Sequence, residues 1–179
     1  MASTFRKGGK ILLCGNGGSA ADCQHVATEF TSRLTKDFVR PGLPAIALTT
    51  DTSFLTAYAN DVDFETGFAR QVQALGKPGD TLIGISTSGN SANVLRAVET
   101  AKGIGMATVG LLGEGGRLTQ LVDAAVVVPS RHTLYTQEAL LSVEHVLCYL
   151  VERAVFAPSG TYQPAAMAEL PIRPSATKP

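Results

Sequence analysis

A short segment rich in hydroxyl side chains follows an apolar run in the middle of the chain. Residues 86–91, Ser-Thr-Ser-Gly-Asn-Ser, open a helical pattern, and Gly89 lets the backbone approach a ligand closely. Free N–H groups and the helix dipole stabilise a phosphate at such a position. A Ser-rich turn with a capping Ser91 is the alternative, but a cap needs only one hydroxyl. We therefore interpret the segment as a phosphate-binding loop formed by Ser86, Thr87, Ser88 and Ser91.

A glycine-rich loop at residues 15–20, with the sequence GNGGSA, follows the first apolar run. It also fits the dinucleotide fingerprint G-x-G-x-x-G/A, in which case Asp51 would be the ribose-binding acid. The gap to Asp51 is longer than the ~20 residues of that fingerprint. The helix after the loop also carries His25 and Glu29, which nucleotide binding does not require. A nucleotide-dependent oxidoreductase is kept as an alternative.

Two pairs of polar residues have spacings that place each pair on one face of a helix. His25 and Glu29 are four residues apart, and Gln137 and His145 are eight apart. Two imidazoles and a carboxylate can transfer protons, and with an amide they can bind zinc. Either pair alone is more often a hydrogen-bonded helix face, but both occur together with the serine-rich loop. We interpret the two pairs as a catalytic or metal site. His132 lies in a polar loop, and we interpret it as a surface residue.

The composition excludes several classes of protein. The chain has 179 residues, 45% of them hydrophobic, and its 15 basic residues balance 15 acidic ones, so no basic surface for nucleic acid is expected. The N-terminus lacks the pattern of a signal peptide, and no apolar run is long enough to span a membrane. Cys14, Cys23 and Cys148 lie in apolar stretches without metal-binding spacing, which predicts buried thiols in a reducing cytoplasm.

Apolar runs alternate with helical patterns along the chain. Strands that are apolar throughout indicate a parallel sheet covered on both faces, which is a three-layer doubly wound α/β fold. Its loops after the strands share one edge, where ligands bind. We expect one domain over residues 1–156, with a short lead over 1–9, and a loosely ordered tail over 157–179. Strands are predicted over 10–14, 45–48, 81–85, 107–112 and 124–128, and helices over 19–34, 53–60, 64–75, 91–102, 118–121 and 136–156.

Taken together, these motifs resemble the sugar isomerase (SIS) domain, and within it the phosphoheptose isomerases. The matching stretches are CGNGGSAADCQHVATEF, PAIALTTD, YANDVDFE, GDTLIGISTSGNS and TQEALLSVEHVL, between residues 10 and 156. The resemblance implies a five-stranded sheet with flavodoxin-like strand order. It also implies an aldose–ketose isomerase that converts sedoheptulose 7-phosphate to D-glycero-D-manno-heptose 7-phosphate through an enediol. The assembly it implies is a cytoplasmic homotetramer with active sites at subunit interfaces.

The resemblance also implies roles for individual residues. The catalytic pair falls on Glu29 and His145, and the ligands of one Zn²⁺ per site fall on His25, Glu29, Gln137 and His145. The substrate contacts fall on Asn16, Gly17, Ser19, Arg33, Asp61, Ser86, Thr87, Ser88, Ser91 and Gln137. The chain departs from the family pattern in the short segment before its first strand, in residues 134–136, and at Leu140, where a second histidine often stands.

Two further alternatives belong to the same fold. Some proteins with this fold are non-catalytic regulators, including tetramers that bind a replication initiator, and those lack the His/Glu and Gln/His pairs. A sugar-phosphate enzyme with another substrate is also an alternative, because a fold does not determine chemistry.

Overall fold

The computed structural model describes residues 1–156 of the chain, so the predicted tail over 157–179 lies outside the described residues. Helices and strands alternate as the sequence predicts. The strands are β1 (Ile11–Gly15), β2 (Ala45–Ala47), β3 (Thr81–Ser86), β4 (Ala107–Leu112) and β5 (Ala124–Val127). The helices are α1 (Ala2–Arg6), α2 (Gly18–Thr31), α3 (Thr52–Asp61), α4 (Gly67–Leu75), α5 (Ala92–Ile104), α6 (Leu118–Leu121) and α7 (Thr133–Phe156).

The five strands form one parallel sheet in the order β2-β1-β3-β4-β5, which confirms the predicted fold. The chain leaves β1 toward β2 on one side and returns to place β3 on the other side of β1. The loops after β1 and β3 therefore diverge at the carboxyl edge of the sheet. Doubly wound folds bind their ligands in the crevice at this switch point. The glycine-rich loop and the serine-rich loop both lie there.

Both faces of the sheet are buried, which is why its central strands are mainly apolar on both sides. Alternate residues of β1 point to opposite sides: Ile11 and Leu13 pack with α2 and α7 residues, whereas Leu12 and Cys14 pack with α4 and α5 residues. All four side chains are fully buried. Successive side chains of a strand point to opposite faces of the sheet, so a strand covered on both faces buries every side chain.

Helix α2 ends at Thr31, three residues before the predicted end, because the buried side chain of Arg40 binds the end of the helix. The Arg40 guanidinium donates hydrogen bonds to the carbonyl oxygens of Glu29 (2.7 Å) and Phe30 (2.6 Å). Its Nε donates to Glu152 of α7 at 2.7 Å, and both side chains are 1% exposed. The last carbonyls of a helix lack partners within it, and a cation there also offsets the helix dipole. Arg40 thereby joins α2 to α7.

The structure also differs from the prediction by one additional helix and at the ends of two others. Helix α1 lies in the segment expected to be a short lead, and Phe5 packs against Phe30 in the core. Helix α4 begins at Gly67 because the Asp63 carboxylate accepts hydrogen bonds from the backbone N–H of Thr66 (2.6 Å) and its hydroxyl, which forms a turn there. Helix α7 begins at Thr133, three residues earlier than predicted. None of the helices within residues 1–156 is long and apolar enough to cross a membrane.

Candidate active site

The serine-rich loop brings three hydroxyl groups together at the start of α5. Ser86 Oγ lies 2.9 Å from Ser91 Oγ and 3.4 Å from Ser88 Oγ. Ser91 occupies the N-cap position of α5, but its side chain makes no capping hydrogen bond. The hydroxyl is directed to the other serines instead of to the helix, which argues against a simple capping turn. Thr87, also in the loop, is half-buried.

Glycine is required at the centre of this loop. Gly89 has a φ of +63°, and a Cβ there would lie 2.7 Å from the Gly115 carbonyl oxygen. The Gly89 carbonyl accepts a hydrogen bond from the Leu118 N–H (3.0 Å), and the Asn90 Oδ1 accepts one from the Arg117 N–H (3.0 Å). The segment after β4 therefore holds the serine-rich loop from the side away from β1.

The loop after β1 turns into α2 at Gly17, which has a φ of +56°. Residues with a side chain rarely adopt this conformation, so glycine is favoured there. Gly17 and Gly18 are exposed, Asn16 is half-buried and Ser19 is buried. The side-chain amides of Asn16 and Asn93 form two reciprocal hydrogen bonds, each 2.8 Å long. Asn93 is a functional candidate that our sequence reasoning missed; its position two residues after Ser91 was the available signal.

The two histidines and the glutamate converge as the sequence predicts. His25 Nε2 lies 2.8 Å from His145 Nε2 and 3.7 Å from Glu29 Oε1. The three side chains offer ligand atoms that all lie within 4.8 Å of one another. The side chains of His25 and Glu29 are 42% and 16% exposed, so a ligand can reach them. Helices α2 and α7 thus bring together residues that are 120 positions apart in the chain.

This donor set fits a divalent metal ion. Two neutral imidazole nitrogens and a carboxylate oxygen are common zinc ligands. At 2.8 Å, one Nε2 atom must donate a hydrogen bond to the other, so only one of the two Nε2 atoms carries a proton. A cation between the rings would take the place of the shared proton. The residues present therefore suit a metal as well as a proton-transfer site.

Gln137 lies about two helical turns before His145 on α7, and its amide contacts the start of α2 and not the two histidines. Its Oε1 accepts a hydrogen bond from Ser19 Oγ at 3.2 Å, and its Nε2 donates to the Asp22 carboxylate. An ionised carboxylate only accepts hydrogen bonds, so Asp22 selects the orientation in which Gln137 Nε2 faces it and Gln137 Oε1 faces away. Burial raises the pKa of Asp22, and the hydrogen bond from Gln137 opposes that shift. Asp22 was missed, although it precedes His25 by one helical turn.

A second acidic residue missed by sequence reasoning, Glu144, is buried between the two helices. It is 1% exposed, and neither carboxyl oxygen has a hydrogen-bond partner within residues 1–156. Burial and, to a lesser extent, the charge of Asp22 raise the pKa of Glu144 to about 8. Its surroundings therefore favour the neutral carboxyl group. No signal in the sequence distinguishes Glu144 from Glu138, the exposed glutamate of α7.

Three predicted positions have less to do with this cluster. Arg33 lies in the exposed segment after α2, and Asp61 is exposed at the end of α3. Within residues 1–156, neither shares a hydrogen bond with the other predicted site residues; Asp61 accepts one from its neighbour Asn60 (2.7 Å). His132 is exposed and packs edge-on against the ring of Tyr135. His132 is thus a surface residue, as predicted, whereas the substrate contacts of Arg33 and Asp61 remain predictions.

The three cysteines are free and buried, as predicted. Burial raises the pKa of Cys14 and of Cys148 to about 12, and it also raises that of Cys23. A thiol that stays protonated is a poor nucleophile. Nucleophilic catalysis by cysteine is therefore not supported. Leu140 is fully buried in the core between α7 and the sheet, so a histidine at this position would face apolar side chains.

Comparison with known proteins gives one consistent result. Residues 1–113 match the SIS domain family. A phosphoheptose isomerase of Roseiflexus sp. (strain RS-1) is 59% identical over 157 residues, which cover 87% of this chain and 79% of the relative. That of Chlorobaculum parvum is 55% identical over 154 residues, covering 85% and 74%.

Solved structures agree with the sequence comparison. The phosphoheptose isomerase of Neisseria gonorrhoeae has 45% identity and a TM-score of 0.79, over 85% of this chain and 80% of that one. The enzyme of Francisella tularensis has 39% identity and a TM-score of 0.81, over 86% and 81%. The dinucleotide-dependent and regulatory alternatives are not needed to explain this fold or this site. The chain belongs to the SIS domain family, and within that family it is an isomerase of the phosphoheptose isomerase group.

Proposed function

We propose that the chain interconverts sedoheptulose 7-phosphate and D-glycero-D-manno-heptose 7-phosphate, with Glu29 and His145 as the proton-transfer groups. The observation that carries this assignment is the convergence of His25, Glu29 and His145 from α2 and α7, in a chain that also clusters three hydroxyls in the serine-rich loop. An isomerase of this kind must hold a phosphate at one end of the sugar and move protons at the other.

The reaction moves one proton between neighbouring carbons and one between their oxygens. Glu29 takes the proton from C1 of the ketose and returns it to C2, while His145 exchanges the proton between the two oxygens. No atom is gained or lost overall. The hydroxyls of Ser86, Thr87, Ser88 and Ser91 bind the phosphate, and Asn16, Gly17, Ser19, Arg33, Asp61 and Gln137 contact the sugar. Binding energy at the phosphate then positions the reacting carbons.

We assign one Zn²⁺ to each site, held by His25, Glu29, Gln137 and His145. When bound, the ion polarises the sugar carbonyl and stabilises negative charge on its oxygen. Glu29 acts as a base only while its carboxylate is free of the ion, so its two roles alternate. The amide oxygen of Gln137 would have to exchange its contact with Ser19 for the ion.

We also propose a cytoplasmic homotetramer with active sites at subunit interfaces. Helix α7 supports this assembly, because it exposes Val146, Tyr149 and Leu150 directly after His145. Their exposed fractions are 56%, 45% and 55%, which is unusual for neighbouring large apolar groups. The free cysteines favour a reducing compartment.

The reaction and the metal can be tested in one experiment. The chain is incubated with sedoheptulose 7-phosphate, with and without a chelator, and the products are identified by NMR. We expect the aldose heptose phosphate, loss of turnover with chelator, and recovery when zinc is added. Glu29→Gln is expected to lower kcat by about 100-fold or more, whereas Glu99→Gln, an exposed carboxylate on α5, leaves it unchanged.

Each result bears on a separate part of the proposal. If no aldose forms with the untreated chain, the substrate assignment is wrong. Turnover that survives the chelator contradicts the zinc assignment and leaves the isomerase in place. A Glu29→Gln variant with normal kcat removes that residue from the mechanism.

A further inference from the structure

The side chains of Asn16 and Asn93 join the two loops that form the site. Asn16 Nδ2 donates to Asn93 Oδ1, and Asn93 Nδ2 donates to Asn16 Oδ1, both at 2.8 Å. Asn93 is 4% exposed, and Asn16 is half-buried. Each amide supplies one donor and one acceptor, so the pair is satisfied only when both groups keep this relative orientation. A two-bond contact of this kind determines both a distance and an angle.

The positions of the two asparagines give the pair its significance. Asn16 follows directly after β1, in the loop that leads into α2 with His25 and Glu29. Asn93 is the second residue of α5, two positions after Ser91. The pair therefore connects the start of the helix with the proton-transfer groups to the start of the helix behind the serine-rich loop.

Both loops depend on glycines at positive φ, and such residues give the backbone little rigidity of its own. The serine-rich loop is held on its far side by the N–H groups of Arg117 and Leu118. The asparagine pair supplies a link on the near side, toward β1. Without it, the two loops are joined mainly through the strands beneath them.

We propose that Asn93 is a positioning residue, which through Asn16 sets the separation between the bound phosphate and the proton-transfer groups. The inference rests on the proposed function. Asn16 retains one amide N–H and one lone pair, so it can still contact a sugar hydroxyl while Asn93 holds it. The phosphate-binding hydroxyls belong to other residues and do not depend on the pair.

Asn93→Ala separates positioning from phosphate binding. Because the serine hydroxyls remain, we expect the inhibition constant of inorganic phosphate to stay within about twofold. The reacting carbons lose their alignment, so kcat falls by about 10- to 100-fold. If phosphate binding weakens by the same factor as kcat falls, the loop is damaged in general and the proposal is overturned. An unchanged kcat would also overturn it.

Asn93→Asp adds a pH readout that a merely structural role would not produce. A protonated carboxyl group can replace the amide, because its O–H donates to Asn16 and its C=O accepts; the ionised form can only accept. The matched control is Asn90→Asp, which places the same charge in the exposed part of the serine-rich loop. Because position 93 is 4% exposed, burial favours the protonated carboxyl group there, and we expect kcat of Asn93→Asp, divided by that of the control, to rise by about fivefold or more from pH 8 to pH 5.5 as the pair re-forms. A ratio that does not change with pH contradicts the proposal.

Hydrogen exchange tests the pair without relying on turnover. In Asn93→Ala, backbone amides of residues 15–20 are expected to exchange faster than in the wild-type chain, whereas Asn90→Ala leaves them unchanged. If the wild-type chain does not convert the heptose phosphate, the proposed function fails, and exchange still decides whether the pair holds the loop. Unchanged exchange in Asn93→Ala overturns the positioning role on its own.

Discussion

At the scale of single residues, the proposed phosphate-binding groups and the proposed proton-transfer groups lie on different elements. On the loop after β3, Ser86 Oγ lies 3.4 Å from Ser88 Oγ and 2.9 Å from Ser91 Oγ. The imidazoles and the carboxylate belong to α2 and α7 instead. Substitutions in the two groups should therefore change different kinetic constants.

Removing two hydroxyls tests the phosphate-binding assignment. We expect Ser86→Ala with Ser88→Ala to raise KM for the phosphorylated sugar by about tenfold or more per hydroxyl, because hydrogen bonds to a charged group are worth about 1.5–3 kcal/mol each. Steady-state kinetics measure the change. Ser142→Ala, which removes an exposed hydroxyl from α7, is the control. A double variant with the KM of the wild-type chain would show that the phosphate binds elsewhere.

At the scale of elements, the buried pair of Arg40 and Glu152 holds α2 and α7 together. Arg40 binds the carbonyl of Glu29 itself, so it anchors the end of the helix that carries the proposed base. Glu152 lies seven residues after His145 on α7, which places it on the same side of that helix. The relative position of α2 and α7, which carry the proposed catalytic pair, thus depends on residues outside the site.

Breaking this pair should destabilise the chain strongly. Arg40→Met leaves Glu152 buried without its partner, and we expect a loss of about 3–5 kcal/mol in the free energy of unfolding. Urea denaturation followed by circular dichroism measures it. Arg96→Met, which breaks an exposed pair with Glu99, should cost less than about 1 kcal/mol. The double variant Arg40→Met with Glu152→Leu should recover part of the loss; if it is no more stable than Arg40→Met, the unpaired charge is not the cause.

At the scale of the whole molecule, the carboxylate of Asp80 connects distant parts of the chain. It accepts hydrogen bonds from the backbone N–H groups of Lys10 and Lys77, both at 2.9 Å, and from Lys10 Nζ at 2.5 Å. Burial tends to raise the pKa of Asp80, but these hydrogen bonds outweigh it and lower the pKa below its usual value.

The lowered pKa of Asp80 predicts part of the acid sensitivity. Since the folded chain binds this proton less tightly than the unfolded chain, the stabilisation is complete above the unfolded pKa and is lost as pH falls through the folded one. We expect Asp80→Asn to cost about 1–3 kcal/mol at pH 7 and to flatten the loss of stability below pH 4. Thermal unfolding between pH 2 and 7 measures both effects. Glu65→Gln, an exposed control, should change neither, and an unaltered acid slope in Asp80→Asn would contradict the prediction.

Assembly is the second prediction at this scale. If the exposed side of α7 packs against another copy, Val146→Lys places a charge in that contact and should convert the proposed tetramer to smaller species. Light scattering coupled to size-exclusion chromatography measures the mass. Leu75→Lys, at an exposed apolar position on α4, should leave the mass unchanged. Equal masses for the wild-type chain and both variants would exclude α7 as the interface.

The amino-acid sequence by itself determined the alternation of strands and helices and the parallel sheet. It also determined that His25 and Glu29 share one helix face, as do Gln137 and His145. These depend on local spacing, since a buried strand is apolar at every position and a helix repeats every three to four residues. The comparison with relatives then confirmed the family and its isomerase activity.

Only the tertiary structure decided which distant side chains meet. Asn16 with Asn93, Arg40 with Glu152, and Gln137 with Asp22 are separated by 77, 112 and 115 positions in the chain. No local sequence pattern identifies such partners. A contact between two elements depends on the orientation of each helix about its axis and on its position along the neighbouring element. The burial of Glu144 has the same origin: of the three glutamates of α7, Glu138 is exposed while the packing of the helix buries Glu144 and Glu152.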